Sequence, residues 1–258
     1  MFFPETKKVQ HTVEFKEGKI NGLMQEFYRN GKTKSIQHFI NDQFTDTSFF
    51  FHENGKIASV KIQINNKREG CWKQYNDKGK VYKETCYKDD LLDGPSTKYT
   101  YRSGRILERS NFKEGERDGK QEDYYNNGKL KSVLYYKNNS PCMGTEEWYQ
   151  SGEKVNNDFK ITVVEQNRVL LENSLKFFIQ LENPQKDDIV FFVSQKDTGR
   201  VVTIVYHLKK LGNQFLLEYS IGKGGFVMEK VKLAAFRKTK NGNVVIKTTE
   251  FNASANNY

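Results

Sequence analysis

A repeat of about 24 residues constrains the fold of this 258-residue chain more than any other feature of its sequence. Glycines that precede a lysine or another polar residue recur at steps of 24, 24, 25, 24 and 24 residues. These turn glycines are Gly31, Gly55, Gly79, Gly104, Gly128 and Gly152. A second series leads each unit, with aspartate in the second unit: Gly22, Asp46, Gly70, Gly94, Gly119 and Gly144. The sequence therefore contains six consecutive units over residues 13–159.

Aromatic residues recur at fixed offsets within these units. The position five residues after the leading glycine is aromatic in all six units: Phe27, Phe51, Tyr75, Tyr99, Tyr124 and Tyr149. A second series, interrupted at Gln63, closes most units: Phe15, Phe39, Tyr87, Phe112 and Tyr136. We predict that the first series forms the repeat core and that the two series make ladders on one shared apolar face of a sheet.

Each unit is predicted to be a β-hairpin. Asn30-Gly31, Asn54-Gly55 and Asn127-Gly128 lie between runs rich in β-branched and aromatic residues, which is a strong hairpin signal. Opposite bends are predicted at residues 19–22 and 116–119. The result is an antiparallel meander of about twelve short strands, stabilised by contacts between neighbouring units because an isolated hairpin is marginal.

The pattern G-x4-[FY]…G-K-[LIV]…[FY] resembles the MORN repeat, membrane occupation and recognition nexus, and is closest to the bacterial variant of antitoxin-type repeat proteins. The resemblance covers about residues 13–159. It departs from the family pattern at Asp46 and in the last unit, residues 147–159. The resemblance implies a twisted, elongated β-sheet that acts as a binding surface or spacer, and it transfers no catalytic motif.

The period ends at residue 160, and short apolar segments follow. Leu175, Phe177, Ile179 and Leu181 alternate with mostly polar residues, which predicts a half-buried strand. Further strands are predicted at 189–194, 201–208, 215–221, 226–236 and 243–251. Segment 161–175 also indicates a strand, with a short helix at its start as the alternative. We therefore predict an all-β chain with a repeat array at 1–159 and a β-sandwich at 160–258. An immunoglobulin-like domain is one candidate for the topology of this sandwich.

The net charge of +10 is concentrated in the second part of the chain. Residues 1–159 contain 27 basic and 23 acidic side chains, whereas residues 160–258 contain 15 and 9. A candidate basic patch for anionic membrane consists of Lys230, Lys232, Arg237, Lys238 and Lys240, with an ordinary solvated surface as the alternative. Nucleic acid is not expected as a partner, because the aromatic residues recur where a sheet needs them for its own core.

The three cysteines have no CxxC spacing, so we expect buried or free thiols and neither a metal site nor a disulfide scaffold. One pairing stays open. A two-residue loop at Lys78-Gly79 would place Cys71 opposite Cys86, whereas a three-residue loop with a glycine bulge would separate them by one position.

No constellation in the sequence indicates catalysis. The four histidines are scattered, and the glycine-rich segment 221–226 lacks the spacing of a phosphate-binding loop. Asp89, Asp90 and Asp93 are interpreted as turn residues. We therefore predict no enzymatic activity, no cofactor and no metal.

The predicted function is that of a non-enzymatic protein-binding scaffold. In its specific form it is an accessory subunit of a bacterial cell-envelope or secretion assembly, acting in protein transport and docked on a larger membrane component. The alternatives are an antitoxin that neutralises a cytosolic toxin and a peripheral binder of anionic membrane. The N-terminus has no signal-peptide core, so we expect the periplasm or cell envelope if the sequence is a mature form, and otherwise the cytoplasm.

Overall fold

The computed structural model describes residues 1–4, 7–197 and 199–258, which are nearly all β, and it confirms the predicted fold class. The chain folds into two compact units. The first comprises Met1–Ser132, Tyr136–Ser140 and Gln150–Gly152. The second comprises Val133–Tyr135, Pro141–Tyr149 and Glu153–Tyr258. The domain boundary between residues 159 and 160 stays a prediction.

The first fourteen strands form one antiparallel sheet in which strands that follow each other in sequence are paired. They are β1 (His11–Lys16), β2 (Lys19–Phe27), β3 (Thr33–Ile40), β4 (Gln43–Phe51), β5 (Ile57–Ile64), β6 (Lys67–Tyr75), β7 (Val81–Lys88), β8 (Leu91–Tyr99), β9 (Ile106–Lys113), β10 (Glu116–Arg117), β11 (Gly119–Tyr124), β12 (Leu130–Lys137), β13 (Ser140–Pro141) and β14 (Glu146–Glu147). Short β10 pairs with β9, and β14 pairs with β12.

The turn glycines lie in three-residue loops and not in two-residue turns. In the first unit the Tyr28 N–H donates to the Lys32 carbonyl and the Gly31 N–H to the Tyr28 carbonyl, each at 2.8 Å. Only the glycine of this loop has a positive φ, of 86°. A three-residue hairpin loop of this kind is a type I turn followed by a left-handed glycine, which forms a bulge. The fourth unit has one more residue between Thr100 and Arg105, which explains its step of 25.

The two-residue hairpin turns are at the opposite edge of the sheet. The bends predicted at residues 19–22 and 116–119 lie instead at Glu17-Gly18 and Glu114-Gly115. Two successive residues there have positive φ, as in Asn41-Asp42 (50° and 67°) and Asn65-Asn66 (51° and 65°). This is the signature of a type I′ turn, which asparagine, aspartate and glycine favour. Four of the leading glycines instead lie in strands, whereas Gly144 lies between β13 and β14. All five have a positive φ, and Asp46 in β4 also has one, of 68°. Aspartate can therefore replace glycine in the second unit.

Side chains at this edge connect each repeat to the one before it. The second residue of a type I′ turn accepts a hydrogen bond from a backbone N–H about 22 residues upstream. Asp42 Oδ1 accepts from Ile20 N–H at 2.7 Å, Asn66 Oδ1 from Phe44 N–H at 2.6 Å and Asn139 Oδ1 from Arg117 N–H at 2.9 Å. The recurrent Asn and Asp residues therefore stabilise the stacking as well as the turn.

The glycine-loop edge has its own connections to the following repeat. The Tyr28 hydroxyl donates to the Phe51 carbonyl at 2.6 Å, and His52 Nε2 contacts the Tyr75 carbonyl at 2.8 Å. Lys56 Nζ donates to the Lys78 carbonyl at 3.3 Å. The residue after the first-series aromatic and the lysine after the turn glycine therefore bind the next loop.

The second unit is a β-sandwich of two four-stranded sheets with one helical turn. Its elements are β15 (Ile161–Arg168), α1 (Val169–Glu172), β16 (Ser174–Leu181), β17 (Ile189–Val193), β18 (Ile204–His207), β19 (Lys209–Leu211), β20 (Gln214–Ser220), β21 (Phe226–Lys238) and β22 (Val244–Asn256). Segment 161–175 thus begins as a strand, and the helical turn comes after it.

The sandwich is confirmed, and its strand order is that of an immunoglobulin-like domain. Lettered in chain order from A to G with β18 as C′, the sheets β15-β16-β20-β19 and β18-β17-β21-β22 are A-B-E-D and C′-C-F-G. An immunoglobulin constant domain has A-B-E-D and C-F-G, so this sandwich adds the one strand C′. The predicted alternation in β16 is confirmed, since Leu175, Phe177, Ile179 and Leu181 are all at most 4% exposed. They pack with buried residues of β20, β21 and β22 into one core.

The sixth repeat forms only a short hairpin. Between Pro141 and Phe159 the pairing is limited to the ends of β13, to β14 and to one bridge between Trp148 and Lys154. Most of this segment belongs to the second unit. The reason is Glu147, which is 1% exposed and accepts hydrogen bonds from Thr239 and Asn243 at 2.9 and 2.5 Å.

We expect Asn66→Gly to loosen the stacking without disturbing the turn, because glycine retains the positive φ while the acceptor for Phe44 N–H is lost. A hydrogen bond of this kind contributes about 1 kcal/mol, so the Phe44 amide should exchange with solvent about fivefold faster. Hydrogen exchange followed by NMR measures this rate. Asn65→Gly, one residue earlier in the same turn, is the control and should leave the Phe44 rate unchanged; equal effects would contradict the assignment.

Candidate binding surface

The two aromatic series lie on opposite faces of the repeat sheet. Side chains alternate along a strand, and paired residues point to the same face. Trp72 pairs with Thr85, and Tyr87 of the second series is two residues after Thr85, so Tyr87 lies on the same face as Trp72. Tyr75 of the first series is three residues after Trp72 on the same strand, an odd offset that places it on the other face. The prediction of one shared apolar face is therefore wrong, and we call the two sides the first face and the second face after their series.

The second face is packed by its own side chains. Phe39 is 6% exposed, with its ring centroid 4.3 Å from that of Phe44. Trp72 and Tyr87 lie 5.0 Å apart. Cations cover the rings: Arg68 lies 4.6 Å from the Tyr87 centroid, and Lys61 Nζ lies 4.5 Å from that of Phe50 and 5.1 Å from that of Trp72. These contacts cover the rings of Phe39, Trp72 and Tyr87, whereas Phe15 at the start of the array is 66% exposed.

Small polar residues lie buried between the larger side chains of the second face. They are Ser35, Ser48, Ser59, Thr85, Ser96, Ser110, Gln121 and Ser132. Several bond to one another or to nearby carboxylates, as Thr85 does with Ser96 at 3.1 Å and Ser132 with Asp123 at 2.7 Å. Their small volume lets the flanking aromatic and charged side chains close over the middle of the sheet.

The first face carries a continuous central row of cross-strand neighbours. The row runs Gln25, Ile36, Phe49, Val60, Lys73, Glu84, Thr97, Arg109 and Glu122. On every strand that carries a first-series aromatic, that aromatic lies two residues beyond the row. The row is apolar over β3 to β5 and polar from β6 onward, where every member except Thr97 is charged. Arg109 is exposed and the other members are half-buried, so every side chain of the row reaches the surface in part.

Charges in the second half of the row are paired with one another. Lys73 Nζ lies 3.3 Å from Glu84, and the hydrogen bond between them raises the pKa of Lys73. Lys120 and the Tyr124 hydroxyl donate to Glu122 at 2.5 and 2.8 Å. These bonds hold the pKa of Glu122 below its usual value, with Lys120 contributing most. The charged half therefore presents a fixed pattern of both signs.

A depression of about 310 Å³ lies in this charged half. Its lining includes Pro95, Thr97, Arg109, Asn111 and Glu122. The first face thus combines an apolar row that can be desolvated with a polar depression that can give orientation. That combination is typical of a surface for a protein partner.

A disulfide joins Cys71 to Cys86 on the first face, so the expectation of free or buried thiols is wrong for these two cysteines. Cys142 is buried and lies outside the disulfide. The loop between the strands has three residues, which alone would have separated the pair. A bulge restores the register: Tyr75 pairs with Val81 but Gln74 pairs with Lys83, so Tyr82 is the extra residue.

The predicted site residues have the following positions. All six turn glycines have positive φ, from 73° to 100°. The first-series aromatics are half-buried on the first face, except that Tyr149 of the short sixth hairpin is 53% exposed. Their assignment as the repeat core stays a prediction. The central row was missed in the sequence because its members share no residue type, and only the pairing register connects them.

The structure does not gather the candidate basic patch into one cluster. Arg237 is buried and makes two hydrogen bonds to Asp188 at 2.7 and 2.9 Å, and a third to the Glu182 carbonyl at 3.0 Å. Lys230 and Lys232 both lie near Glu250. Lys238 and Lys240 are exposed beyond them. Arg237 therefore does not belong to a solvent-exposed patch, and the patch stays a prediction for the four lysines.

Among residues 1–4, 7–197 and 199–258, no three His, Cys, Asp or Glu side chains lie close enough together to hold a metal ion. In the same described ranges, no helix has the length and apolar character needed to cross a bilayer.

The comparisons with known proteins agree with the repeat geometry. A family model described as the MORN repeat variant matches residues 20–41, 68–89 and 117–138. These are the first, third and fifth units. The second unit departs from the pattern at Asp46 and Gln63, and the fourth has the longer loop. No curated protein matches the chain significantly.

We expect thiol titration of the denatured, unreduced protein to detect one thiol per chain, that of Cys142. Cys71→Ser should raise the number to two, because it releases Cys86. The bridged loop of about 15 residues should contribute about 3 kcal/mol to the free energy of unfolding. Three thiols in the unsubstituted protein, purified from its native compartment, would contradict the disulfide.

We expect Asp188→Ala to destabilise the sandwich by about 3–5 kcal/mol, because it leaves the Arg237 guanidinium buried without its anion. Amide hydrogen exchange at Val231 and Leu233, both fully buried in the core, measures the loss. Glu250→Ala is the control, since it removes an exposed carboxylate from Lys230 and should leave these rates nearly unchanged. Similar rates in the two variants would show that the buried pair is not important for stability.

Proposed function

The chain is a MORN-repeat protein, and from that premise we propose that the first face of its repeat sheet binds a protein partner. MORN repeats are commonly protein- or membrane-binding modules, and an all-β chain that contains them fits a binder without enzymatic activity. The observation that carries the proposal is the central row of the first face. Its apolar half and its charged half lie side by side on consecutive strands.

The apolar half provides the binding energy in this proposal. Ile36, Phe49 and Val60 are direct cross-strand neighbours, and Phe51 and Ile62 flank them on the same face. Full desolvation of an aliphatic or aromatic side chain contributes about 1.5–3 kcal/mol. Such clusters are where the strongest contributions of a protein interface concentrate.

The charged half provides orientation and distinguishes a protein partner from an anionic membrane. Lys73, Glu84, Arg109 and Glu122 alternate in sign along the row, so the surface has little net attraction for a uniformly negative layer. A partner with complementary charges would be guided into one orientation. The scattered basic residues of β21 also give little support to attachment to anionic lipid.

The disulfide supports an oxidising compartment. Disulfides persist in secreted, periplasmic and cell-surface proteins and are rare in the cytosol. The specific form of the proposal is therefore an accessory subunit of a bacterial envelope assembly that docks on a larger membrane component. An antitoxin acting on a cytosolic toxin would be expected to have reduced cysteines, so the thiol titration described above also separates these two functions.

The test is site-specific photocrosslinking in cells that make the full chain. A photoreactive amino acid at Val60 should form one discrete protein adduct, whereas the same amino acid at Lys61 should not, because Lys61 points to the second face of the same strand. Phe49→Ser should reduce the Val60 adduct about tenfold or more, equivalent to at least about 1.4 kcal/mol of binding energy. Mass spectrometry then identifies the adduct.

The matched control is Phe50→Ser, since Phe50 is the next residue of β4 and lies on the second face. It should leave the Val60 adduct in place if the protein remains folded, which circular dichroism verifies. Adducts at Lys61 but not at Val60 would move the binding site to the second face. Absence of any adduct from either position would contradict binding through the repeat sheet.

A further inference from the structure

Strand β22 is a long and regular edge of the second sheet of the sandwich. Its thirteen residues pair with β21 without any shift of register. Native proteins usually shorten, bulge, charge or cover such edges to prevent unwanted pairing. The other edge of this sheet, β18, has four residues and an irregular register, and the edge strand β19 has three. Strand β22 is neither short nor bulged.

The hydrogen bonds at its two ends establish which backbone groups of β22 point outward. The Thr239 N–H donates to the Asn243 carbonyl at 2.8 Å, and the Asn257 N–H donates to the Gly225 carbonyl at 2.9 Å. Hydrogen-bonded pairs alternate along an antiparallel ladder, so the odd-numbered residues from 243 to 257 bond toward β21. The even-numbered residues of β22 therefore direct their N–H and C=O groups away from the sheet.

The chain covers the beginning of this edge itself. The outward carbonyl of Val244 accepts a hydrogen bond from the Thr145 hydroxyl at 2.6 Å. Lys247 forms an ion pair with Asp158, and segments 144–147 and 154–158 lie along Val245 and Lys247. From Thr248 to Asn256, by contrast, none of the residues that the structure describes bonds to the outward backbone groups. The uncovered part is therefore the C-terminal part of the strand.

A groove of about 410 Å³ runs along the end of the uncovered edge. Ser254, Ala255 and Asn256 line it together with Phe226, Met228, Leu170 and Tyr258. These four larger side chains are 74%, 79%, 77% and 86% exposed. Among described residues of the second unit, only they and Leu171 combine large apolar side chains with such high exposure. An exposed apolar cluster of this kind marks an interaction site.

We propose that residues 248–256 bind an extended segment of a partner protein by strand addition, with a large apolar side chain of that segment in the groove. The outward N–H and C=O groups recur at every second residue, a spacing that the backbone of an extended chain matches. A lipid surface would cover the apolar side chains but would leave these backbone groups without hydrogen bonds. The edge and the groove together therefore favour a peptide strand over a bilayer.

The test uses the full chain and peptides of about ten residues selected from a random phage-displayed library. The selected peptides should carry apolar residues at alternate positions. On binding, they should slow the amide exchange of Glu250, Asn252 and Ser254 about tenfold or more. The amides of Phe251 and Ala253 already bond to β21 and should change little. This alternation distinguishes strand addition from simple coverage of the surface.

Two pairs of variants complete the test. Ser254→Pro removes an outward N–H without breaking the ladder to β21 and should weaken peptide binding about tenfold or more, whereas Ser254→Ala retains the N–H and should bind normally. Phe226→Ser should weaken binding to a similar extent. Val205→Ser replaces an apolar residue of β18 that is 56% exposed and should have no effect.

Three outcomes would overturn the proposal. One is a selection that returns no alternating peptide, and another is peptide binding that persists unchanged in both Ser254→Pro and Phe226→Ser. The third is Phe226-dependent binding to phosphatidylcholine vesicles without any peptide binding, which would assign the groove to lipid. This proposal and the one for the repeat sheet fail separately, since the Val60 adduct does not involve β22.

Discussion

Hydrogen bonds from the turns of one repeat to the backbone of a neighbouring repeat are the interactions on which the large sheet depends. A single hairpin of this length buries too little surface to be stable in water. Hydrogen bonds between repeats add the stability that a single hairpin lacks. At one edge, the acceptors of a backbone N–H from the preceding repeat are Asp42, Asn66 and Asn139. At the other edge, Tyr28 and Lys56 donate hydrogen bonds to backbone carbonyls of the following repeat. The recurrence of Asn, Asp and Gly-Lys in the sequence therefore has a structural cause that extends beyond the individual turn.

The two faces of the sheet have different roles because the pairing register, with its three-residue loops and bulges, places the two aromatic series on opposite sides. The second face is closed by its own rings, cations and buried hydroxyl groups, as around Tyr87 and Arg68. The first face leaves Ile36, Phe49 and Val60 accessible beside a row of paired charges. One face of a single sheet can thus be packed by its own side chains while the other face is presented to a partner. This division explains how a sheet without a second layer can be stable and also bind.

Charged residues of the second unit serve mainly to hold it together. Arg237, one of the residues expected to face solvent, lies buried against Asp188, and Glu147 connects the segment after β12 with Thr239 and Asn243. The positive net charge is therefore a poor guide to the partner, because some of these cations are neutralised within the fold. The uncovered features of this unit are instead a backbone edge and apolar side chains, which indicate recognition of an extended chain.

The sequence by itself determined the period, the hairpins, the left-handed turn glycines and the alternation of Leu175 to Leu181, because these depend on residues close together in the chain. Tertiary structure decided the rest. The pairing of Cys71 with Cys86 required a bulge at Tyr82 that compensates for a three-residue loop, and the assignment of aromatics to faces required the full pairing register. One residue more or less in a loop or bulge reverses every side chain beyond it. Local patterns do not record such changes, so the central row, the buried state of Arg237 and the open edge of β22 became visible only in the folded chain.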